Sequence, residues 1–363
     1  MDKFLKNLVA DRFLNLQPYK AEAFDGPIKL DAMEMPHGLP ADEMKSLLNQ
    51  ISEIELNRYP DPDCDDLREK ILDSHGLKKK GLDIDVLLGN GSDELIFLLC
   101  QLTAKSPSSS ILIPTPTFSV YKISAQIANM KIEEINTRKT DFELDNELFL
   151  HSVREKKPSL IFLASPNNPT GNVLTTDFVR QICEECNGLV VLDEAYWKFF
   201  GESKLLLLKE YSNLLVLQTM SKIGFANIRL GMLFGGKDLI SLIKKIKMPY
   251  NINGISQAIA NFILSNNSLV DKHVKNIVSE REKMSEKLLS LNNLKVWKSH
   301  ANFILVRTNS KSSTIVHKEL LNEGIYVKNM NNSHPLLRNC LRITIGLEHE
   351  NKELFRQMAK SVY

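Results

Sequence analysis

The segment that decides both fold and site is LLVLQTMSKIGFANIRLG, residues 214–231. It opens with LLVL, and apolar residues at successive positions are typical of a strand buried on both faces. Thr219, Ser221 and Lys222 follow this strand directly, and Arg229 comes seven positions after the lysine. The segment therefore predicts a buried strand that brings a lysine, two hydroxyls and an arginine to one edge of a sheet.

Similar apolar runs alternate with helical patterns from about residue 85 to 235. This alternation predicts an α/β fold with a mostly parallel, doubly wound sheet flanked by helices. After about residue 250, one long amphipathic helix leads into short strands and helices, which indicates a smaller α+β unit. We predict a large domain of residues 46–252 and a small domain formed by the N-terminal arm, residues 1–45, with residues 253–363. The arm is expected to be irregular and to pack on the small domain.

Composition excludes several classes of function. The net charge is +2, so no nucleic-acid or membrane partner is indicated. The first residues lack the apolar core of a signal peptide, and no apolar run approaches the ~20 residues of a membrane span. The five cysteines are few for so long a chain, which favours a reducing, cytoplasmic location. Cys183 and Cys186 are interpreted as helix residues, and no metal site is predicted.

Polar clusters follow the apolar runs, at the strand ends where doubly wound sheets bind ligands. GNGSDE, residues 89–94, opens a helix whose first backbone N–H groups, from Gly91 to Asp93, would attract an anion. SPNNPTG, residues 165–171, forms a stiff turn, and LDEAY places Asp193 at the end of a strand. Taken singly, these clusters are ordinary caps and turns.

Together the clusters describe a single ligand. Asp193 suits a cationic ring nitrogen, and Lys222 suits an aldehyde. A phosphate suits Ser92, Thr219, Ser221 and Arg229, and a phenolic oxygen suits Asn168 and Tyr196. These four groups occur together in pyridoxal 5′-phosphate, which binds its enzymes through a lysine and an aspartate on the pyridine nitrogen.

The sequence resembles the fold-type I pyridoxal-phosphate aminotransferases over nearly its whole length, and within them the histidinol-phosphate aminotransferases. The motifs that support this resemblance stand in the family's order: IKLDAMEMP, NRYPDP, GNGSDELI, PTFSVY, SPNNPTG, LDEAY, TMSK…RLG, ANFILVR and CLRITIG. The sequence departs from the family pattern in three places. Arg229 follows Lys222 by seven residues, where eight are expected in many relatives. Met35 stands where an asparagine is frequent, and Lys328 stands where many relatives have an arginine.

The resemblance implies a role for each matching residue. Lys222, Asp193 and Tyr196 would be catalytic. The cofactor would be bound by Gly91, Ser92, Asp93, Phe118, Asn168, Asp193, Tyr196, Thr219, Ser221, Lys222, Arg229 and Tyr59. The substrate would contact Tyr19, Asn168, Lys328 and Arg342. Tyr59 would reach the phosphate in the neighbouring subunit, which implies a homodimer with shared active sites.

The implied reaction is transamination of histidinol phosphate with 2-oxoglutarate in histidine biosynthesis. An aromatic amino-acid aminotransferase would use the same residues, and only the shape of the pocket would separate it. A threonine-phosphate decarboxylase would share the fold and the phosphate contacts but would release carbon dioxide. A transcriptional regulator built on this fold would need an added DNA-binding domain, and residues 1–45 are too short and too weakly basic to supply one.

Overall fold

Residues 3–14, 26–78 and 82–363 are described by the computed structural model of the chain. They form a seven-stranded sheet and a five-stranded sheet, with helices packed around both. None of the helices among these residues is long and apolar enough to cross a membrane. The predicted architecture, a mostly parallel sheet flanked by helices together with a smaller α+β unit, is confirmed.

The strands define the two sheets. In chain order they are β1 (Ile28–Leu30), β2 (Ile84–Asn90), β3 (Ser110–Thr115), β4 (Lys131–Asn136), β5 (Leu160–Ala164), β6 (Leu189–Asp193), β7 (Leu214–Thr219), β8 (Leu230–Gly236), β9 (Leu294–Val296), β10 (Phe303–Thr308), β11 (Ile325–Asn329) and β12 (Cys340–Thr344). The larger sheet has the order β2-β8-β7-β6-β5-β3-β4, and β8 runs antiparallel to both of its neighbours. The smaller sheet has the order β1-β11-β12-β10-β9, and its pairs are antiparallel except for β1 with β11.

Helices pack against both sheets and against one another. In chain order they are α1 (Lys3–Leu8), α2 (Asp11–Leu14), α3 (Ala41–Ser52), α4 (Asp65–Ser74), α5 (Gly91–Thr103), α6 (Ser119–Ile127), α7 (Asn146–Lys156), α8 (Thr176–Glu185), α9 (Trp197–Phe200), α10 (Lys237–Lys244), α11 (Gly254–Ser265), α12 (Asn267–Leu289), α13 (Ser313–Asn322) and α14 (Glu348–Ser361). The amphipathic segment after residue 250 forms α12, and Cys183 lies on α8 with its side chain buried.

The centre of the larger sheet is formed by the most apolar segments of the chain. LIFLA, LVVLD and LLVLQT form β5, β6 and β7, and nearly every residue in them is buried. Because both faces of these strands are covered, each run is apolar at successive positions rather than at alternating ones. β6 ends at Asp193 and β7 ends at Thr219, so the polar residues that follow these strands meet at the same edge of the sheet.

The expectation of an irregular N-terminal arm was wrong in part. β1 pairs with β11 and extends the smaller sheet, α1 and α2 lie near the N-terminus, and α3 begins at Ala41. Turn residues are frequent in this region, so the sequence pattern did not indicate β1, a strand of three residues. β4, with the sequence KIEEIN, was also missed, because it is an edge strand whose exposed positions are charged or polar and whose pattern is weakly apolar.

Candidate active site

A cavity of about 690 Å³ lies at the carboxyl edge of the larger sheet and extends to the smaller sheet. Its walls come from the residues after β5, β6 and β7, from the starts of α5 and α6, and from β11 and β12. Most residues predicted to form the site line this cavity: Ser92, Asp93, Phe118, Asn168, Asp193, Tyr196, Thr219, Ser221, Lys222, Arg229, Lys328 and Arg342. Segments far apart in the sequence therefore meet as the strand order predicts.

The remaining predicted residues lie elsewhere. Gly91 adjoins the cavity as the first residue of α5, and its N–H donates to the carbonyl of Arg229 at 2.7 Å. Tyr59 does not line the cavity of its own chain. Its side chain is 81% exposed and stacks on Tyr250, with 4.5 Å between ring centroids. Tyr19 lies outside the described residues.

Asp193 is buried at the end of β6, where two donors hold its carboxylate. The Tyr121 hydroxyl donates to Oδ2 at 2.6 Å, and the N–H of Ala195 donates to Oδ1 at 2.9 Å. Burial raises the pKa of Asp193 to about 6, although both hydrogen bonds favour the charged form. A cation beside this carboxylate would favour its ionised form, so the position suits a protonated ring nitrogen.

Lys222 lies three residues beyond the end of β7, in a short turn that spans Ser221–Phe225. Gly224 has φ +113° there, a conformation that residues with a side chain rarely adopt. Burial, together with the positive charge of Arg342, lowers the pKa of Lys222 to about 8. A lysine with a lowered pKa is a better nucleophile near neutral pH, as covalent attachment of an aldehyde requires.

Hydroxyl and guanidinium groups gather where β7 ends and α5 begins. Thr219 Oγ1 lies 3.0 Å from Ser221 Oγ and accepts from the N–H of Ser221 at 3.1 Å. Arg229 Nη1 lies 3.5 Å from Ser221 Oγ, and Arg229 Nη2 donates to Asp93 Oδ2 at 2.9 Å. With the N–H groups of the first turn of α5, these donors form a site for an anion such as a phosphate.

Backbone geometry allows Arg229 to reach this site seven residues after Lys222. Arg229 has φ +51°, which turns its side chain back toward Ser221 and the start of α5. Its guanidinium passes so close to Gly91 that a Cβ at that position would overlap it. The φ of +77° at position 91 favours glycine, and a side chain there would also displace the Arg229 guanidinium.

Arg342 connects the two sheets across the cavity and is itself buried. Its Nη1 donates to Asn168 Oδ1 at 2.6 Å, and its Nη2 donates to the carbonyl of Asp31 at 2.6 Å. Arg342 also pairs with Lys328 in the register of β12 with β11, so two cationic side chains face the same cavity. Such a pair suits a doubly charged anion.

Sequence reasoning missed Tyr121 and Met33. Tyr121 follows Phe118 by one helical turn, and its ring meets that of Phe118 edge to face at 5.6 Å. The PTFSVY motif contains both aromatics at a spacing of three, so helical spacing could have identified Tyr121. Met33 lies within 3.0 Å of the Tyr196 hydroxyl, and no local pattern could have indicated this contact.

The assembled groups fit the predicted cofactor. One end of the cavity provides anion donors and a glycine-lined approach, as a phosphate requires. Asp193 is an acid whose pKa is raised by its burial, and Lys222 is a lysine with a lowered pKa. Pyridoxal 5′-phosphate has a phosphate, a basic ring nitrogen and an aldehyde that correspond to these three features.

The fold and site define a pyridoxal-phosphate-dependent transferase. The chain belongs to the aminotransferase class I and II family, whose family model matches residues 26–357. This family depends on pyridoxal 5′-phosphate, so the predicted enzyme class and cofactor are confirmed.

Individual relatives resemble the chain over nearly its full length. It is 38% identical to the histidinol-phosphate aminotransferase of Polaromonas naphthalenivorans over 365 residues, which cover 100% of this chain and 98% of that protein. It is 36% identical to histidinol-phosphate aminotransferase 2 of Nitrosococcus oceani over 343 residues, or 94% of each chain. The resemblance to this group of aminotransferases predicted from the motifs is thereby confirmed.

Solved structures show the same fold. The histidinol-phosphate aminotransferase from Clostridium acetobutylicum is similar with a TM-score of 0.84 and 25% identity, over 92% of this chain and 99% of that chain. The enzyme from Sinorhizobium meliloti, solved in complex with pyridoxal-5′-phosphate, gives a TM-score of 0.82 over 93% of this chain and 91% of that chain. At 19% identity, the second likeness concerns the fold alone.

Proposed function

We propose that the chain transfers the amino group of L-histidinol phosphate to 2-oxoglutarate, giving imidazole acetol phosphate and glutamate in histidine biosynthesis. The observation that most supports this substrate is the pairing of Lys328 with Arg342 in the wall of the cavity that contains Lys222. The names of the full-length relatives support the same reaction.

When bound, pyridoxal phosphate supplies an electron sink that makes the Cα–H of an amino donor acidic. Lys222 would hold the cofactor through its aldehyde, and its amine, when free, would accept and return the proton of the donor's Cα. Its lowered pKa, about 8, keeps a useful fraction of the amine neutral near physiological pH. Asp193 would keep the ring nitrogen protonated, and the Tyr121 hydroxyl and the Ala195 N–H hold the Asp193 carboxylate in place.

The other residues bind and orient. Asn168 and Tyr196 would contact the phenolic oxygen, and Phe118 would pack on the ring. The cofactor phosphate would be held by Gly91, Ser92, Asp93, Thr219, Ser221 and Arg229, and by Tyr59 of the second subunit. Arg342 meets the anionic end of both substrates, Lys328 adds a charge for the phosphate, and Tyr19 completes the substrate contacts.

Replacing Lys328 with alanine is expected to lower kcat/KM for histidinol phosphate by about 10- to 100-fold, because a lost charged hydrogen bond costs about 1.5–3 kcal/mol. The loss for 2-oxoglutarate should be smaller, since a carboxylate has less charge than a phosphate. Steady-state kinetics with each substrate measure this difference. Lys122→Ala is a matched control, because Lys122 pairs with Glu134 and does not line the main cavity.

The same assay separates the two rival functions. Phenylalanine, tyrosine and threonine phosphate are each compared with histidinol phosphate as the amino donor. For threonine phosphate, the release of carbon dioxide is also measured. A threonine-phosphate decarboxylase from Porphyromonas gingivalis has a similar fold at 19% identity, which supports no substrate for this chain. Equal losses on both substrates in Lys328→Ala, or a preference of the unmodified enzyme for aromatic amino acids, would favour the aromatic aminotransferase reading.

A homodimer with shared sites is part of this proposal. Tyr59 is exposed and lies beside Tyr250. The side chains of Leu56 and Met248 are also exposed, by 81% and 71%. Several exposed large apolar side chains are typical of a protein interface. A second copy of the chain is the occupant that would place Tyr59 near an active site.

Mixing two variants tests the shared site. Lys222→Ala chains and Tyr59→Ala chains are each expected to be weakly active or inactive alone. After subunit exchange, about half the dimers are hybrids with one intact site, so activity should rise to about a quarter of the unmodified level. Mixing Lys222→Ala with Asp193→Ala should restore nothing, because both residues belong to the same subunit's half of the site. Verified exchange without any gain from the first mixture would exclude the shared site.

Two further assignments complete the proposal. The large domain comprises residues 46–252, and the small domain comprises residues 1–45 and 253–363, since the smaller sheet takes its strands from the second set. We assign the enzyme to the cytoplasm. Its cysteines support this location, because all five are free and buried rather than joined in disulfides.

A further inference from the structure

Met33 occupies a costly backbone conformation in the wall of the active-site cavity. It has φ +56°, a left-handed conformation that is unfavourable for a long side chain. Its backbone is fixed from the smaller sheet: its N–H donates to Thr344 Oγ1 at 3.0 Å, and its carbonyl accepts from Asn302 Nδ2 at 2.9 Å. Two residues earlier, the carbonyl of Asp31 accepts from Arg342. The surroundings therefore hold Met33 in place against its own backbone preference.

With its backbone held by these hydrogen bonds, Met33 places its thioether against a residue of the proposed site. The Tyr196 hydroxyl donates to Met33 Sδ at 3.0 Å, and both side chains are buried. Met33 also lines a second cavity of about 290 Å³, which shares Phe118, Asn168, Lys328 and Arg342 with the main one. Met33 thus contributes to the walls of both cavities.

The chemistry of the pair is a competition for one proton. A phenol has a single O–H to donate, and a thioether sulfur is a weak acceptor. An oxygen that carries negative charge is a much stronger acceptor, so it takes the proton in preference to the sulfur. In this structure the sulfur is the acceptor of the Tyr196 hydroxyl, so the hydroxyl must turn away from Met33 to donate to such an oxygen.

We propose that Met33 is a positioning residue that competes for the hydroxyl proton of Tyr196 and so tunes the hydrogen bond that Tyr196 gives to the cofactor's phenolic oxygen. This inference rests on the proposed role of Tyr196. A hydrogen bond donated to that oxygen favours its anionic form. A weaker competitor at position 33 should therefore lower the pH at which the bound cofactor changes its visible absorbance.

The test is a pH titration of the visible absorbance of the loaded enzyme. Met33→Leu keeps the volume of the side chain and removes the acceptor, so its midpoint should fall by about 0.5 pH unit or more. Met35→Leu is the matched control, because Met35 is a partly buried methionine of the same segment, and it should titrate like the unmodified enzyme. Met33→Gln, whose amide oxygen is a stronger acceptor, should shift the midpoint upward.

Tyr196→Phe distinguishes the possible failures. The proposal expects Tyr196→Phe to raise the midpoint and the double variant Met33→Leu, Tyr196→Phe to match Tyr196→Phe alone, since no proton is then left to compete for. If Tyr196→Phe shifts the midpoint but Met33→Leu and Met33→Gln do not, Met33 has no positioning role. If Tyr196→Phe has no effect, the proposed role of Tyr196 is wrong and the inference falls with it. The rate of cofactor release gives a second readout, with slower release expected for Met33→Leu.

Discussion

Replacing Asp193 with asparagine is expected to lower the transamination rate by about 10³-fold or more while the cofactor still binds. Asparagine keeps the size of the side chain but removes the negative charge that would hold a proton on the ring nitrogen. Loss of a preorganised group that stabilises charge in the transition state costs about 10²–10³ in kcat even for a single neutral donor. Here the lost group is a buried carboxylate, so a larger effect is expected.

The pKa of Asp193 adds a pH dependence to this prediction. Because burial raises that pKa to about 6 in the cofactor-free protein, protonation of the carboxylate competes with cofactor binding below about pH 6. Cofactor affinity of the unmodified protein should therefore fall as the pH drops through 6, and affinity of Asp193→Asn should change less.

Kinetics and cofactor binding are measured on the same preparations. Asp93→Asn is a matched control, since Asp93 lines the same cavity but pairs with Arg229 at the phosphate end. That control should alter cofactor affinity more than kcat. An Asp193→Asn enzyme with near-normal kcat would show that Asp193 is not the partner of the ring nitrogen.

Replacing Lys222 with methionine is expected to abolish turnover and, in the cofactor-free protein, to raise thermal stability near neutral pH. The lowering of the Lys222 pKa from 10.5 to about 8 corresponds to about 3 kcal/mol against the charged form. Below pH 8 the native state must accommodate that charge near Arg342. Methionine removes this cost while filling a similar volume.

The sign of the pH dependence follows from proton linkage. Between about pH 8 and 10.5 the unfolded chain binds a proton on Lys222 that the native state does not, so stability of the unmodified protein rises with pH through that window. The stability advantage of Lys222→Met should therefore be largest below pH 8 and should shrink toward pH 10.5. Melting curves of the cofactor-free proteins measure it, with Lys328→Met as a control lysine from the same cavity. An advantage that is constant with pH would contradict this explanation.

The parts of the structure that local sequence determines could be predicted. β5, β6 and β7 are continuous apolar runs, and the rule that polar residues at their ends meet at one sheet edge correctly assembled Asp193, Thr219 and Lys222 in one cavity. β4 could not be recognised, because an edge strand needs no apolar face on its solvent side.

Sequence patterns could not predict contacts between segments that are far apart in the chain. Met33 and Tyr196 are separated by 163 positions. Their contact depends on a hydrogen bond from the Met33 backbone to Thr344, which forms only when the smaller sheet is assembled. The hydrogen bond from Arg342 to Asn168 spans 174 positions. The resemblance to a known family indicated both of those residues, but it gave no information about their mutual contact.

Borohydride reduction of the purified enzyme tests the central claim most directly. The unmodified protein should be yellow, and reduction should remove the colour and leave the mass of the cofactor on the peptide that contains Lys222. Lys222→Met should acquire no such label under the same conditions. A label on another lysine, or no label on a protein that contains bound cofactor, would contradict the assignment of Lys222 and the site built around it.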